Sequence, residues 1–295
     1  MRKFHILGGM PRAGTTLAAQ LLSMNENFHV TPTSAVLDTL KVMRSNFSQD
    51  PTWRGQDRMK LMENFRQGMN GFLEGFFHDK EVVFDKCRGW SNHISMLDTI
   101  RGDKDTKILF FYRNPVEIIG SIEAQYQKTI LLENPDEASA PGAFATLDRR
   151  IGTFMNDGGI VSYPVEILRD AIEMGYGDRI LIVKYYDLTN NTQEVLNQIH
   201  DFIGEPRKSY DLTKLKQATF EYDGLYNYKF PHTIKEGSVK FKPADVEFPT
   251  KYVNVINNKF AGLNKFVFEG DPSMLLGLSE EEYKEQQITL NLKKK

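Results

Sequence analysis

The chain of 295 residues is 40% hydrophobic and 26% charged, which is ordinary for a globular protein and enough for one large domain or two average ones. Its 37 basic and 39 acidic side chains leave a formal charge of −2, which excludes bulk attraction to nucleic acid or an anionic membrane and makes any anion recognition local. The single cysteine, Cys87, excludes an intramolecular disulfide and reads as a buried small hydrophobe; no stretch has the ~18 apolar residues of a membrane helix or the layout of a signal peptide, so a cytoplasmic location is expected.

Residues 4–7 (FHIL) form a short apolar run ending in Gly8-Gly9, the pattern of a buried strand feeding a tight loop. Residues 14–24 read as a helix, with Leu17, Leu21 and Leu22 at helical spacing. Residues 36–44 and 57–77 also read as helices, and a stripe of Met59, Met62, Phe65, Met69 and Phe72 on the second is expected to pack in the core. Residues 81–85 (EVVFD) and 106–112 (TKILFFY) are further β-rich runs, the latter leading into a helical pattern over 116–127. Residues 179–184 (RILIVK) predict a fourth strand, followed by a helix over 192–203.

Residues 133–145, rich in Pro, Ala, Glu and Gly, are expected to form an exposed loop. Residues 222–249 are aromatic, basic and aperiodic, a long ordered loop of the kind that usually carries function. The closing Lys293-Lys294-Lys295 is expected to be solvated. With no repeat and no convincing linker, residues 1–295 are expected to be a single domain. Strands alternating with helices predict an α/β fold of three layers, a central, mainly parallel sheet flanked by helices.

A strand, a glycine-rich loop and a helix in succession aim backbone N–H groups and a positive helix end at a phosphate. Gly9 and Gly14, followed by Thr15 and Thr16, have P-loop spacing, yet Thr15 stands where the lysine of that motif belongs. A basic residue appears instead inside the loop, at Arg12, where a guanidinium can fork onto phosphate or sulfate oxygens. Without the lysine, γ-phosphoryl transfer loses a principal charge stabiliser. The predicted strand ending at Tyr112 runs into Arg113-Asn114-Pro115, with Ser121 eight residues beyond the arginine. Arginine at the strand end and serine within the next helix can face one anion together. Arginine there also makes a poor Walker B element, which needs an aspartate for magnesium.

On these residues the chain resembles the PAPS-dependent sulfotransferase superfamily. GMPRAGTT is similar to its 5′-phosphosulfate loop and YRNPVEIIGS to its 3′-phosphate motif. ILIVKYYDLTNNTQEVLNQIHDFIG resembles a third family segment, with Tyr186 in a glutamate position and Ile203 in a leucine position. The resemblance implies a P-loop-like α/β fold that binds 3′-phosphoadenosine 5′-phosphosulfate (PAPS), releases 3′-phosphoadenosine 5′-phosphate (PAP) and uses no catalytic metal. It implies that Arg12 and the N–H groups of Ala13, Gly14, Thr15 and Thr16 hold the 5′-phosphosulfate, that Arg113 and Ser121 bind the 3′-phosphate, and that Tyr185 lies near the nucleotide. Lys235 and Gly237, in HTIKEGSVK, resemble a basic-glycine loop over the 3′-phosphate, or form a plain solvated loop.

Sulfuryl transfer needs in-line placement, charge stabilisation and a base for the acceptor proton. Lys86, at a predicted strand end, is the candidate stabiliser; the alternative is a surface lysine paired with Asp85. Some branches of the family place a glutamate about twenty residues after the loop's basic residue, where this chain has Thr33 and Ser34. Others use a histidine two residues after the strand-end lysine, where it has Arg88. Asp38 and His93 are the substitute base candidates. Two other readings stand beside the sulfotransferase: a small-molecule P-loop kinase, and a non-catalytic nucleotide-binding member of the fold. The acceptor is expected to be a small molecule, saccharide, lipid or peptide carrying a hydroxyl or amine.

Overall fold

In the computed structural model, residues 1–241, 243 and 247–293 are described; the last two lysines of the predicted solvated tail lie outside them. Five strands, β1 (Lys3–Gly9), β2 (Phe28–Thr33), β3 (Val82–Lys86), β4 (Ile108–Tyr112) and β5 (Ile180–Lys184), form one sheet in the order β2-β3-β1-β4-β5. Every pairing is parallel, with Leu7 opposite Lys86, Gly9 opposite Phe111, and Tyr112 opposite Lys184. The predicted three-layer α/β architecture is therefore the observed one.

A parallel sheet must be covered on both faces, and the side-chain alternation along the strands supplies two cores. Phe4 and Ile6 of β1 and Val83 of β3 point into one, with Leu37, Leu40, Leu73, Trp90, Leu97 and Ile100. Leu7, Val82 and Phe84 point into the other, with Leu21, Leu22, Ile118, Ile122, Leu196 and Ile199. Ile256 of the helix Thr250–Lys259, Leu263 and Val267 of the helix Ala261–Glu269, and Phe260 between the two belong to that second core.

β2 escapes the sequence reading because its FHVTPT run is short, carries Pro32 and ends exposed, as an edge strand tolerates. The Met/Phe stripe packs only in part: Met69 is buried, whereas Met59 is 76% exposed, because the first turns of the helix Arg58–Phe76 project past the core. Residues 133–145 are not a plain loop. Pro135–Ser139 and Pro141–Phe144 are short helices, the first closed by a capping box between Asn134 and Glu137. Cys87 is half-buried, and burial pushes its thiol up to about 11. No helix among the described residues is long and apolar enough to cross a membrane.

Candidate functional site

The strand order places β1 at the centre, with β3 on one side and β4 then β5 on the other, so connections leave the sheet in opposite directions around β1. Ligand crevices in open α/β sheets form at such a point, beyond the carboxyl ends of the strands. Most of the residues singled out in the sequence lie there: the 9–16 loop after β1, Lys86 ending β3, Arg113 after β4 and Tyr185 after β5.

The loop turns on two glycines and one strained residue. Gly9 has φ 120°, and a Cβ there would sit 2.9 Å from the Phe111 Cα and closer to its N and O. Gly14 has φ 91° and caps the helix Thr15–Ser23, with the Tyr185 ring against it. Between them Arg12 has φ 58°, a left-handed conformation that costs a non-glycine residue about 1–2 kcal/mol. The first backbone bond of the helix runs from Ala18 N to Gly14 O at 2.9 Å, and no acceptor among the described residues takes the N–H groups of Gly14 to Leu17. These four amides, at the positive end of the helix, form an anion cradle.

Arg12 does not point at that cradle alone. Its Nε donates to Ser121 Oγ (3.3 Å) and its Nη1 to Pro231 O (2.9 Å). Burial, then the nearby Arg113, pull the Arg12 pKa down, against Tyr185 and Asp223. Arg113 is buried; its Nη1 donates to Arg12 O (3.2 Å), its Nε to Glu117 Oε2 (2.8 Å), and its guanidinium lies 4.4 Å over the Tyr185 ring. Asn114 and Pro115 start the helix Pro115–Lys128, Asn114 Oδ1 accepting from Val116 N at 2.9 Å, and this carries Ser121 to the same place. The loop arginine, the strand-end arginine, the helix serine and the tyrosine are thus one contiguous group.

Lys86 is buried at the end of β3, its backbone N–H bonded to Thr31 Oγ1 (2.7 Å). Its ammonium pairs with Glu221, not with Asp85. Asp85 is fully buried and takes bonds from Thr31 (3.2 Å) and Trp90 Nε1 (2.6 Å), so it ties β2 to β3 rather than facing a ligand. Burial pulls the Lys86 pKa down while Glu221 opposes it. Burial would raise the Glu221 carboxyl, but hydrogen bonds from Lys86 and Thr33 and the charges of Lys86 and His232 outweigh it, leaving it below the usual carboxylate range.

The two base candidates are elsewhere. Asp38 is on the solvent side of the helix Val36–Gln49, 70% exposed at its side chain and paired with Lys41 (3.1 Å). His93 Nδ1 lies 3.1 Å from Gly89 O, closing a short 3₁₀ turn, and makes no bond to Lys86 or Arg12. Arg88 is half-buried, and burial draws its pKa down. Lys235 is exposed; Gly237, at φ 98°, bridges to Leu215 (N to O, 2.9 Å) and pins the 232–237 loop against the body. Neither is hydrogen-bonded to Arg113 or Ser121.

Reading the sequence missed Glu221, Asp223 and His232. The loop 220–232 lies over the site through Arg12 to Pro231 and Lys86 to Glu221, and brings them in. His232 Nδ1 is 3.0 Å from Asp223 Oδ1, and its Nε2 is 3.5 Å from Glu221 Oε2. The only signal for them was the long ordered loop that contains Asp223 and His232.

The sequence model described as "Sulfotransferase domain" matches residues 4–223. No curated protein sequence matches the chain. Among solved structures, the sulfotransferase domain of the Synechococcus PCC 7002 olefin synthase is 16% identical over 88% of this chain and 94% of its own, with a TM-score of 0.50. Sulfotransferase STF9 from Mycobacterium avium is 15% identical over 90% and 77%, again with a TM-score of 0.50. A retinol dehydratase solved with androsterone and the inactive cofactor PAP is 12% identical over 88% and 80%, with a TM-score of 0.47. At these identities the two structures with a TM-score of 0.50 speak for the fold alone, while the sequence match spans most of the chain and takes in the 9–16 loop, Lys86, Arg113, Ser121 and Tyr185. The chain belongs to the sulfotransferase domain family, whose enzymes draw the sulfuryl group from PAPS.

Proposed function

We propose that the anion cradle at Gly14 to Leu17 and Arg12 bind the 5′-phosphosulfate of PAPS, that Arg113 and Ser121 bind its 3′-phosphate, and that Lys86 stabilises the sulfuryl group in transit to a small-molecule hydroxyl or amine. One observation carries the assignment: Arg12 donates to Ser121 while Arg113 donates to Arg12 O, so the two anion-binding groups adjoin as two phosphates on one nucleotide require. Residues able to fork onto oxygen pairs stand at both ends of this group, and the open amides of the helix end add donors without adding charge. Tyr185, under the Arg113 guanidinium, supports its orientation. Lys235 and Gly237 belong to this reading as a basic-glycine loop for the 3′-phosphate, supported by the likeness of HTIKEGSVK to the family loop; the bridge of Gly237 to Leu215 gives the loop a defined path without itself reaching Arg113. We read residues 1–295 as one catalytic unit, supported by the packing of Ile256 and Phe260 into the same core as Leu7. The single cysteine supports a reducing compartment, the cytoplasm.

The test is a thermal-unfolding series with PAP, with ATP, and with ATP plus magnesium. A ligand at 100-fold its Kd adds about 2.7 kcal/mol to the native state, roughly 5 °C for a chain of this size. The expected result is a shift with PAP and none of that size with ATP. A shift that needs ATP and magnesium points to the kinase and removes the assignment.

A further inference from the structure

Glu221, Asp223 and His232 form a chain of titratable side chains that the donor-binding assignment leaves without a task. The loop that carries them meets the donor side twice. Glu221 pairs with Lys86, and the residue before His232 accepts a hydrogen bond from Arg12. His232 is therefore within two links of both cations assigned to the sulfuryl group.

The hydrogen bonds define the ring. Asp223 is 11% exposed at its side chain; its Oδ1 accepts the His232 backbone N–H (2.8 Å) and lies 3.0 Å from Nδ1. A carboxylate only accepts, so in the neutral ring Nδ1 carries the proton and Nε2 the lone pair. Nε2 faces Glu221 Oε2 at 3.5 Å, too far for a good hydrogen bond and, between two acceptors, unable to be one. A hydroxyl or amine between them donates to either, and a proton gained at Nε2 has the Glu221 carboxylate to meet it. Among the described residues, the charged groups around the ring are Asp223 on its Nδ1 side, Glu221 on its Nε2 side with Lys86 behind it, and Arg12 at Pro231.

We propose that His232 is the general base of sulfuryl transfer, with Asp223 as its positioning residue and Glu221 facing the ring where the proton arrives. The inference rests on the sulfotransferase reading above. The acceptor O–H proton passes to Nε2 as the oxygen lone pair forms a bond to sulfur. The bond between sulfur and the 5′-phosphate oxygen breaks, its electron pair leaves with PAP, and the imidazolium returns its proton to solvent. Glu221 is the poorer base, because its ion pair with Lys86 holds its carboxyl below the usual range.

The test uses the full chain and the variants His232→Asn and Asp223→Asn. PAP-induced thermal shifts check that folding and donor binding survive, with affinity expected within twofold of the parent. Turnover of ³⁵S-labelled PAPS is followed with 2-naphthol as acceptor and with water alone. His232→Asn is expected to lower kcat 10²- to 10⁴-fold at unchanged KM for PAPS, and to remove the acidic limb of the pH profile. Asp223→Asn is expected to lower kcat at least tenfold and to move that limb. Nitrogen-15 spectra of histidine-labelled protein at pH 8 are expected to show His232 protonated on Nδ1. Turnover of His232→Asn within threefold of the parent with the same pH profile, or a neutral ring protonated on Nε2, overturns the assignment of the base. A parent protein that shows no PAP shift fails the donor reading instead, while the nitrogen spectra still report on the Asp223–His232 pair.

Discussion

Replacing Arg113 by Met separates the 3′-phosphate from the rest of the nucleotide. Contacts of the guanidinium that bear on stability include, among the described residues, the Tyr185 ring at 4.4 Å, Arg12 O at 3.2 Å, and Glu117, which is 38% exposed at its side chain. The stack is worth about 0.5–1 kcal/mol, the bond to a carbonyl about 1, and a half-exposed i,i+4 pair about 0.3–0.5, so losing these contacts costs roughly 2–2.5 kcal/mol and the variant is expected to stay folded. Methionine keeps much of the apolar stem in place. A charged hydrogen bond to the 3′-phosphate contributes about 1.5–3 kcal/mol, which is roughly ten- to a hundred-fold in affinity. Calorimetry with PAP and with adenosine 5′-phosphate is the assay. The parent should prefer PAP by that factor, and Arg113→Met should bring the two affinities together. Arg12→Ala is the control; it should weaken both ligands by similar factors, because its task lies at the 5′ end. Equal affinities in the parent, or a preference that survives Arg113→Met, refute the placement of the 3′-phosphate.

Two further predictions concern the frame around the site. Gly9→Ala sets a Cβ 2.9 Å from the Phe111 Cα at φ 120°, and left-handed strain plus overpacking should cost about 3–5 kcal/mol, measured by urea titration; a loss under about 1 kcal/mol contradicts the packing. His5 is buried with its Nδ1 accepting from Lys107 N (3.2 Å), and burial, helped by Lys3, Arg101 and Lys107, lowers its pKa to about 3. Below about pH 6.5 the unfolded chain takes up a proton that the folded chain refuses until about pH 3, so the His5 contribution to stability is whole above 6.5 and is lost as pH falls through that window. Between pH 7.5 and 5 this amounts to roughly 2 kcal/mol, and His5→Asn, which keeps an acceptor for Lys107 N, should flatten the urea-midpoint slope by that much. An unchanged slope removes His5 as the cause.

Local chemistry was legible from the chain alone. The strand, glycine loop and helix over residues 4–24 are continuous in sequence, so their spacing already states which N–H groups converge on an anion. Arg113 and Ser121 are separated by one strand end and under two helical turns, and the geometry of a helix suffices to set them side by side. The apolar runs at β1, β3 and β4 are buried along almost their whole length, and that burial makes them readable; β5, at the far edge and mostly half-buried, is readable because four apolar residues, 180–183, run together. β2 was not, because an edge strand of six residues with Pro32 and an exposed end carries too little pattern. Nothing in the Met/Phe stripe told how far its helix would outrun the core.

The surroundings of Lys86 came from tertiary structure. Asp38 and His93 were chosen by sequence distance from family positions, and the fold turned the first to solvent and the second into a local turn. The partner of Lys86 is Glu221, 135 positions away, and His232 is further still. No periodicity or spacing rule spans such an interval, because the path between them runs through β4, β5 and several helices whose directions depend on packing. Sequence by itself determined the glycine loop after β1 and the placing of Arg113 and Ser121 on one strand end and the helix that follows it. Which carboxylate meets the lysine, and which histidine faces that carboxylate, was decided by a loop folding back across the ends of β1 and β3, held there by a buried ion pair and one arginine–carbonyl bond.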